Sequence, residues 1–253
     1  MDTVPSSFIV KKWVDEGNRN VIFYKDRYYL NPAYEEVHDL ILNVVSEIAQ
    51  NYKIDGLHMD DYFYPDHVDD SFDKMDYMYS ETDLSIEDWR RNNVNKLVEK
   101  IDRTLNRIDS SLWFGISPAG NLEYSRDSIF GDVEKWVDEE WVDYIAPQIY
   151  FGYTNKSRPY AATLQQWSDV VEGTDVQLIV GLGAYKINQN NGNSDDEEWI
   201  HDSQILIKQI QDAQDASNYT GYALYSYHSM FRAEADDVQA VMSQLEDIKS
   251  LSE

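Results

Sequence analysis

Two adjacent carboxylates, Asp60 and Asp61, end an apolar segment in the stretch DGLHMDDYFYP, Asp55 to Pro65. Neighbouring carboxylates repel each other, and burial raises the cost of ionising either one. One interpretation is a strand that ends because it reaches solvent. The other is a catalytic strand end, where the carboxylates take part in the chemistry. The residues in the other segments of the chain are needed to choose between these two interpretations.

Polar and aromatic side chains also end the other apolar segments of the chain. Period-two alternation places His58 and Asp60 on one face of the first strand and directs Asp61 toward the following loop. The same alternation directs four further side chains inward: Ser117, Gln148, Tyr150 and Tyr185. On the last strand Tyr225 and Tyr227 compete with Ser226 and His228 for that face. Because Tyr offers a flat apolar face and a polar tip, this set suits a neutral polyhydroxylated ligand. For His58, a core histidine satisfied by its neighbours is the alternative.

These residues must be positioned by short apolar runs that alternate with segments of helical periodicity. The runs predict a hairpin at Val21–Pro32 and five strands at Ile54–Phe63, Trp113–Gly120, Val142–Tyr153, Val176–Tyr185 and Gly221–Met230. Helices are predicted from Tyr34, over Ser85–Ile108 with Ser85 as N-cap, in a short segment before Glu140, around Ala161–Val171, over Asp195–Ala216 and over Glu234–Leu251. The segment Tyr64–Leu84 is predicted as a long loop. Strands that alternate with helices indicate parallel βαβ units, whose ligands bind at the C-terminal strand ends.

The composition excludes several classes of function. The 253 residues include 47 acidic and 21 basic side chains, a net charge of -26 that is spread along the chain, so we expect no nucleic-acid partner. The absence of cysteine excludes disulfides, thiolate metal sites and a cysteine nucleophile. No apolar run of 18 residues and no signal-peptide pattern occurs, so we expect a soluble chain without membrane insertion. Neither GxGxxG after the first strand, nor GxxxxGK[ST], nor GxSxG occurs.

A metal site is the main alternative for the acidic residues that follow the first strand. Hard cations prefer oxygen ligands, and the segment contains Asp60, Asp61, Asp66, His67, Asp69, Asp70 and Asp73. However, it lacks the glycine and terminal glutamate of an EF-hand, and no HExxH motif occurs. We therefore expect a solvated acidic loop, with no metal and no cofactor.

Five motifs occur in an order that resembles a known family. The motifs YKIDGLHMDDYFYP, WRRNNVNKLV, WFGISPAGN, VDYIAPQIYF and VGLGAY resemble those of the glycosyl-hydrolase-like 10 family of bacterial barrel proteins, over roughly Tyr28 to Phe231. The resemblance implies a TIM-type (β/α)8 barrel, an extracytoplasmic or cell-surface location, and a polysaccharide substrate such as the peptidoglycan of the cell wall. The Asp-Asp strand end of the family matches Asp60 and Asp61.

Two more distant resemblances involve the same strand. DGLHMD resembles the strand-four pattern of α-amylase-like hydrolases, in which a carboxylate in the place of Asp60 is the nucleophile and a basic side chain, here His58, precedes it by two residues. The chitinase pattern DGxDxDxExP also resembles this stretch. It departs at Tyr62, where the chitinase acid would be Glu, so the resemblance implies no chitinase mechanism at that position.

The front of the chain departs from the family pattern. A full barrel of this kind has three more βα units before the position of Asn31-Pro32, and five parallel strands cannot close an eight-stranded barrel. We expect a single glycosidase-like domain over residues 1–253, an α/β fold with an incomplete TIM-type barrel of about five C-terminal βα units. A missing N-terminal segment or a second chain would complete the barrel, or the chain is a remnant.

The predicted function is that of a glycoside hydrolase of carbohydrate metabolism that uses carboxylate acid/base chemistry. Such enzymes use two carboxyl groups, about 5 Å apart for retention or about 6.5–9.5 Å apart for inversion. Asp60 is the predicted nucleophile or base, Asp61 the first candidate for the acid, and Glu123 the second. Arg90 and Arg91 would hold the aspartates by bidentate pairing. The predicted sugar-binding residues are His58, Tyr62, Tyr64, Arg91, Ser117, Asn121, Gln148, Tyr150, Tyr185 and Tyr225. The alternatives are a non-catalytic glycan-binding module and an inactive barrel remnant.

Overall fold

A computed structural model describes residues 4–232 and 238–250 of the chain. Its helices and strands, in chain order, are α1 (Ile9–Asp15), β1 (Val21–Tyr24), β2 (Arg27–Leu30), α2 (Glu35–Asn51), β3 (Gly56–Asp60), α3 (Lys74–Tyr79), α4 (Ile86–Ile108), β4 (Trp113–Ser117), α5 (Leu122–Ser128), α6 (Val133–Asp138), β5 (Tyr144–Ile145), α7 (Tyr160–Val171), β6 (Gln177–Leu182), α8 (Asp196–His201), α9 (Ile205–Ala213), β7 (Tyr219–Leu224), α10 (Tyr227–Phe231) and α11 (Val238–Ser250). A single 3-10 turn, Ala184–Lys186, follows β6.

The chain divides into two compact units that are interleaved in sequence. Unit 1 comprises Met1–Leu57, Asp61–Leu112 and Glu123–Trp136, and unit 2 comprises His58–Asp60, Trp113–Leu122 and Val137–Glu253. The predicted single domain over residues 1–253 stays a prediction.

The main sheet has five strands in the sequential order β3-β4-β5-β6-β7. The pairs β4–β5, β5–β6 and β6–β7 are parallel, and parallel bridges from Gln148 to Ala119 and Gly181 continue the ladder beyond β5. An α/β chain with a parallel sheet in sequential order is a partial TIM-type barrel, as the sequence predicts. The separate antiparallel pair β1–β2 confirms the predicted hairpin.

The core of unit 2 lies between the sheet and its helices. Alternate residues of β6, Leu178, Val180 and Leu182, are buried, and α7 and α9 pack on this strand. The helices contribute buried side chains such as Trp167 and Ile210. Burial of one strand face in this way follows from the period-two pattern and sets which side chains point away from the helices.

Unit 1 is built on two long helices and on buried ion pairs. Helices α2 and α4 pack against each other, and Ser85 caps α4 by accepting a hydrogen bond from the Asp88 amide at 3.1 Å. In the acidic segment that follows β3, Asp73 is fully buried and accepts hydrogen bonds from Arg90 Nε at 3.1 Å. Asp76 is likewise buried and pairs with Arg19.

Several predicted elements are shorter or divided. The third of the five predicted strands, Val142–Tyr153, is reduced to the two residues of β5. Pro147 follows closely and has no amide hydrogen to donate to the neighbouring strand. The helix predicted over Asp195–Ala216 divides into α8 and α9, where Asp202 Oδ1 accepts a hydrogen bond from the Gln204 amide at 2.9 Å. The predicted loop Tyr64–Leu84 contains α3.

The last predicted strand is wrong over its second half. β7 ends at Leu224, and the residues from Tyr227 to Phe231 form α10, in which those two rings lie 4.8 Å apart. Contacts between residues four apart are typical of a helix. The predicted start of the last helix, at Glu234, lies outside the described residues. Within residues 4–232 and 238–250, no helix has both the length and the apolar character needed to cross a membrane.

Candidate active site

Asp60 is the last residue of β3 and is exposed to solvent. His58 lies two residues earlier on the same face of the strand, and its Nδ1 is 2.9 Å from the Tyr144 hydroxyl. The two rings are stacked, with centroids 5.8 Å apart and an angle of 14° between their planes. Partial desolvation lowers the pKa of His58 below its ordinary value, and the nearby Asp60 carboxylate opposes that shift. This shift favours the neutral form of the imidazole at pH 7.

Tyr144 reaches His58 by lying across Gly115 of the neighbouring strand. A Cβ atom at position 115 would stand 2.1 Å from Tyr144 Cζ, so this arrangement requires glycine. Sequence reasoning missed Tyr144 as the partner of His58. The available signal was that Tyr144, Gln148 and Tyr150 are an even number of residues apart on the same predicted strand, so that alternation places them on one face.

Ser117 and Gln148 join the ends of β4 and β5. Ser117 is largely buried, and its hydroxyl donates a hydrogen bond to the Ala146 carbonyl at 2.8 Å. Gln148 is partly exposed, and its Nε2 donates to the Ser117 carbonyl at 3.2 Å. Asn121 is also partly exposed, four residues after the end of β4. These side chains lie at the C-terminal ends of their strands, where a ligand of a parallel sheet binds.

Three tyrosines at the following strand ends form what we call the tyrosine cluster: Tyr150, Tyr185 and Tyr225. Each pair of ring centroids is 5.8 Å apart; the rings of Tyr150 and Tyr225 are nearly parallel, and Tyr185 stands edge-on to both. Tyr225 is 58% exposed. Burial, with smaller contributions from Tyr225 and Asp195, raises the pKa of Tyr185, so this phenol is neutral at neutral pH. Tyr185 is 39% exposed and Tyr150 is partly exposed, so the cluster offers aromatic surface to solvent.

The other predicted site residues belong to unit 1. Asp61 is 3% exposed and contributes to the raised pKa of Tyr124, which is due mainly to burial and to the hydrogen bond from Tyr124 to Asp66. Tyr62 is 81% exposed. Glu123 is an exposed residue of the first turn of α5.

Tyr64 corrects a prediction. It is 2% exposed and packs edge-on against Phe72 and Phe130 in the core of unit 1. Burial raises the pKa of its phenol far above the ordinary value. The ring offers no accessible face to a sugar, because it is enclosed by core side chains that include Phe72 and Phe130.

Arg90 and Arg91 also have partners other than the predicted ones. The buried guanidinium of Arg90 binds Asp73, and Arg91 donates to Asp88 Oδ1 at 2.7 Å and to the Arg126 carbonyl at 3.3 Å. These hydrogen bonds all lie within unit 1. In the described part of the chain, no three His, Asp or Glu side chains are grouped so that they could hold a metal ion.

A buried pair in unit 2 was also missed by sequence reasoning. Asp195 has no exposed surface, and its Oδ2 lies 3.6 Å from Nζ of the buried Lys186. The sequence around Asp195 is that of an ordinary helix start, NSDDEEW, and carries no signal for this contact. Lys186 directly follows Tyr185 of the tyrosine cluster in the sequence. The charge of Asp195 contributes to the raised pKa of the Tyr185 phenol.

Comparison with known proteins gives one family. Residues 2–201 match the family described as glycosyl hydrolase-like 10. The chain is 35% identical over 201 residues to the glycosyl hydrolase YngK of Bacillus subtilis, an alignment that covers 71% of this chain and 39% of YngK. It is 34% identical over 180 residues to the glycosyl hydrolase DigH of Escherichia coli K12, covering 65% of this chain and 41% of DigH. The chain thus spans about two fifths of the length of these relatives.

Two solved structures share the fold. The glycoside hydrolase domain of PgaB (BpsB) from Bordetella bronchiseptica aligns with a TM-score of 0.53 at 17% identity, over 85% of this chain and 63% of that chain. A cold-adapted β-galactosidase from Rahnella sp. R3 aligns with a TM-score of 0.51 at 11% identity, over 76% of this chain and 34% of that chain. At these identities the likeness concerns the fold. On the sequence match, the chain belongs to the glycosyl hydrolase-like 10 family.

Proposed function

We propose that the protein is a glycoside hydrolase that acts outside the cytoplasm on a bacterial cell-wall glycan or another polysaccharide. The observation that carries the proposal is the exposed Asp60 at the end of β3, in a sheet whose later strand ends carry Gln148 and the tyrosine cluster. Family membership supports hydrolysis of a glycosidic bond, because YngK and DigH are both named glycosyl hydrolases. The cell-wall substrate is part of the proposal.

In this proposal Asp60 is the nucleophile or the general base. An exposed carboxylate at a strand end can meet the anomeric carbon or its attacking water, and its charge stabilises the cationic sugar of the transition state. Asp61 is the first candidate for the general acid and Glu123 the second. Hydrolysis needs one protonated carboxyl group, and the substitutions Asp61→Asn and Glu123→Gln test which of the two residues supplies it.

The remaining groups bind the sugar. Aromatic faces of the tyrosine cluster stack on the C–H surfaces of sugar rings, while Gln148 and Asn121 supply amide groups for hydroxyls. Neutral His58, hydrogen-bonded to Tyr144, adds a ring nitrogen beside Asp60 without adding charge. The exposed Tyr62 offers one further aromatic face.

The test is the substitution Asp60→Asn, which is nearly isosteric and removes the charge. We expect release of reducing ends from peptide-free peptidoglycan strands to fall by at least about 100-fold, which corresponds to about 2.7 kcal/mol of barrier. Binding of the same strands should stay within about threefold, because the aromatic groups remain. Asp55→Asn, an exposed aspartate just before β3, is the matched control and should keep full turnover. Unchanged turnover in Asp60→Asn would remove Asp60 from the mechanism.

A second candidate function is a non-catalytic glycan-binding module. It is favoured by one observation: among the predicted site residues of unit 2, Asp60 is the single carboxylate, whereas hydrolysis uses two. The same assay separates the candidates. Strand binding without turnover by the unsubstituted protein would identify the binding module.

A further inference from the structure

A buried carboxylate ties together the two segments that carry Tyr150 and Tyr185. Asp195, the residue before α8, accepts hydrogen bonds at Oδ2 from the Gly152 amide at 2.6 Å and from Trp199 Nε1 at 3.2 Å. The same oxygen lies 3.6 Å from Lys186 Nζ. Gly152 follows Tyr150 by two residues, and Lys186 follows Tyr185 directly.

A second carboxylate, Glu198 of α8, contacts the same loop. Glu198 Oε2 accepts hydrogen bonds from the amide and the hydroxyl of Thr154, each at 3.0 Å. A Cβ atom at position 152 would stand 2.4 Å from Glu198 Oε2 and 3.0 Å from Asp195 Cβ. The loop therefore approaches α8 as closely as a backbone without a side chain allows.

Both charged groups of the Asp195–Lys186 pair are buried, which limits what the pair adds to stability. Burial of Asp195 acts to raise its pKa, but hydrogen bonds from Gly152 and Trp199 and the charge of Lys186 bring the pKa below its ordinary value. Lys186 is buried as well, with Nζ 5.5 Å from the centre of the Trp199 ring. Desolvation offsets much of the attraction in a buried ion pair, so the pair itself need add little stability, whereas loss of either partner leaves an uncompensated buried charge.

We propose that Asp195 is a positioning residue that holds the loop of Tyr150 and the turn of Tyr185 in register, so that the tyrosine cluster is ordered before a glycan binds. The proposal rests on the proposed function for the identity of the ligand, but the ordering itself is a property of the free protein. Binding to an ordered surface avoids the entropy cost of ordering it during association.

The test compares three variants of the Asp195–Lys186 pair, one single and two double. In Asp195→Asn the Asn oxygen still faces the Gly152 amide, but Lys186 is left as a buried charge without its partner. We expect affinity for peptide-free peptidoglycan oligosaccharides to fall about tenfold, the effect of one lost charge-assisted contact. The double variant Asp195→Asn/Lys186→Met removes the unpaired ammonium, keeps the acceptor for Gly152, and should recover affinity to within about threefold. Asp195→Ala/Lys186→Met lacks the acceptor and should not recover.

Asp196→Asn is the matched control, because Asp196 is also buried and bonds the amides of Asn191 and Asn193 instead of the loop at 152–154. Affinity is measured by calorimetry, and amide hydrogen exchange over residues 150–154 is measured without ligand. Faster exchange there together with weaker binding in Asp195→Asn, but not in Asp196→Asn, supports the proposal. Unchanged exchange and unchanged affinity would overturn it, as would equal losses in both variants.

The same experiment separates this inference from the proposed function. If the unsubstituted protein binds none of the oligosaccharides, the proposed glycan ligand is rejected and the role of Asp195 in glycan binding is rejected with it. If the unsubstituted protein binds and Asp195→Asn binds equally well, the proposed function stands and only the positioning role is rejected.

Discussion

At the scale of single residues, the two adjacent aspartates have different surroundings because β3 ends between them. Asp60 is exposed, whereas Asp61 is packed in unit 1, where the Phe63 amide donates a hydrogen bond to its carbonyl at 2.8 Å. Strand alternation predicted that the two side chains diverge. The burial of Asp61 was not predictable from the local sequence. Tyr124, whose pKa is raised in part by the charge of Asp61, lies 63 residues later in the chain.

The close approach of Tyr144 to Gly115 leads to a residue-scale prediction. In Gly115→Ala the new methyl group must displace the Tyr144 ring, which would break the hydrogen bond to His58. We expect a loss of about 1–3 kcal/mol in the free energy of unfolding, typical of overpacking. Chemical denaturation measures the loss.

Gly221 in β7 is the matched control, since a Cβ atom there meets nothing within 4 Å. Gly221→Ala should keep or slightly raise the free energy of unfolding, because alanine reduces the conformational entropy of the unfolded chain. Equal stability of both variants would contradict the packing of Tyr144 across β4.

At the scale of elements, apolar periodicity was sufficient to place the strands of the sheet but not their ends. The end of β5 depends on Pro147, whose effect is local and readable from sequence. The helix α10 was missed because Tyr225 to His228 fit either face of a strand, although Tyr227 and Phe231 stand four residues apart. The partner of Arg90 was not predictable, because pairing with Asp73 depends on how the acidic segment folds back on α4.

The start of α4 gives an element-scale prediction. Ser85 Oγ accepts from the Asp88 amide, which confirms the predicted N-cap, and it also donates to Asp88 Oδ2 at 2.8 Å. Ser85→Ala should lower the free energy of unfolding by about 1 kcal/mol. Ser46→Ala, in the middle of α2, is the control and should be neutral or slightly stabilising, since alanine has the higher helix propensity. A neutral Ser85→Ala would contradict the cap.

At the scale of the whole molecule, two features act in opposite directions on association. β3 and β7 are the outer strands of the five-stranded sheet, and an outer strand can pair with another chain. The net charge of -26 opposes contact between copies at low ionic strength. Screening by salt weakens that repulsion, so ionic strength should determine which feature dominates.

We therefore expect self-association that increases with protein concentration and with salt, measured by sedimentation velocity at low and high sodium chloride. Ala223→Lys places a charge on the exposed side of β7 and should reduce association, because lysine on an edge strand disfavours pairing. Gln166→Lys, exposed on α7, makes the same charge change away from the edge and should leave association unchanged. A monomer under all conditions would show that the outer strands do not pair.

The acidic segment after β3 has a practical consequence for anyone who redesigns the surface charge of this protein. Its aspartates are equivalent in a sequence count but not in the fold: Asp70 makes an exposed pair with Lys74, whereas Asp73 and Asp76 are the buried partners of Arg90 and Arg19. Neutralising Asp70 removes one surface charge at little cost in stability, because an exposed ion pair contributes little. Neutralising Asp73 leaves the Arg90 guanidinium as an unpaired charge in the interior. A library of charge-reducing substitutions therefore has to keep Asp73 unchanged.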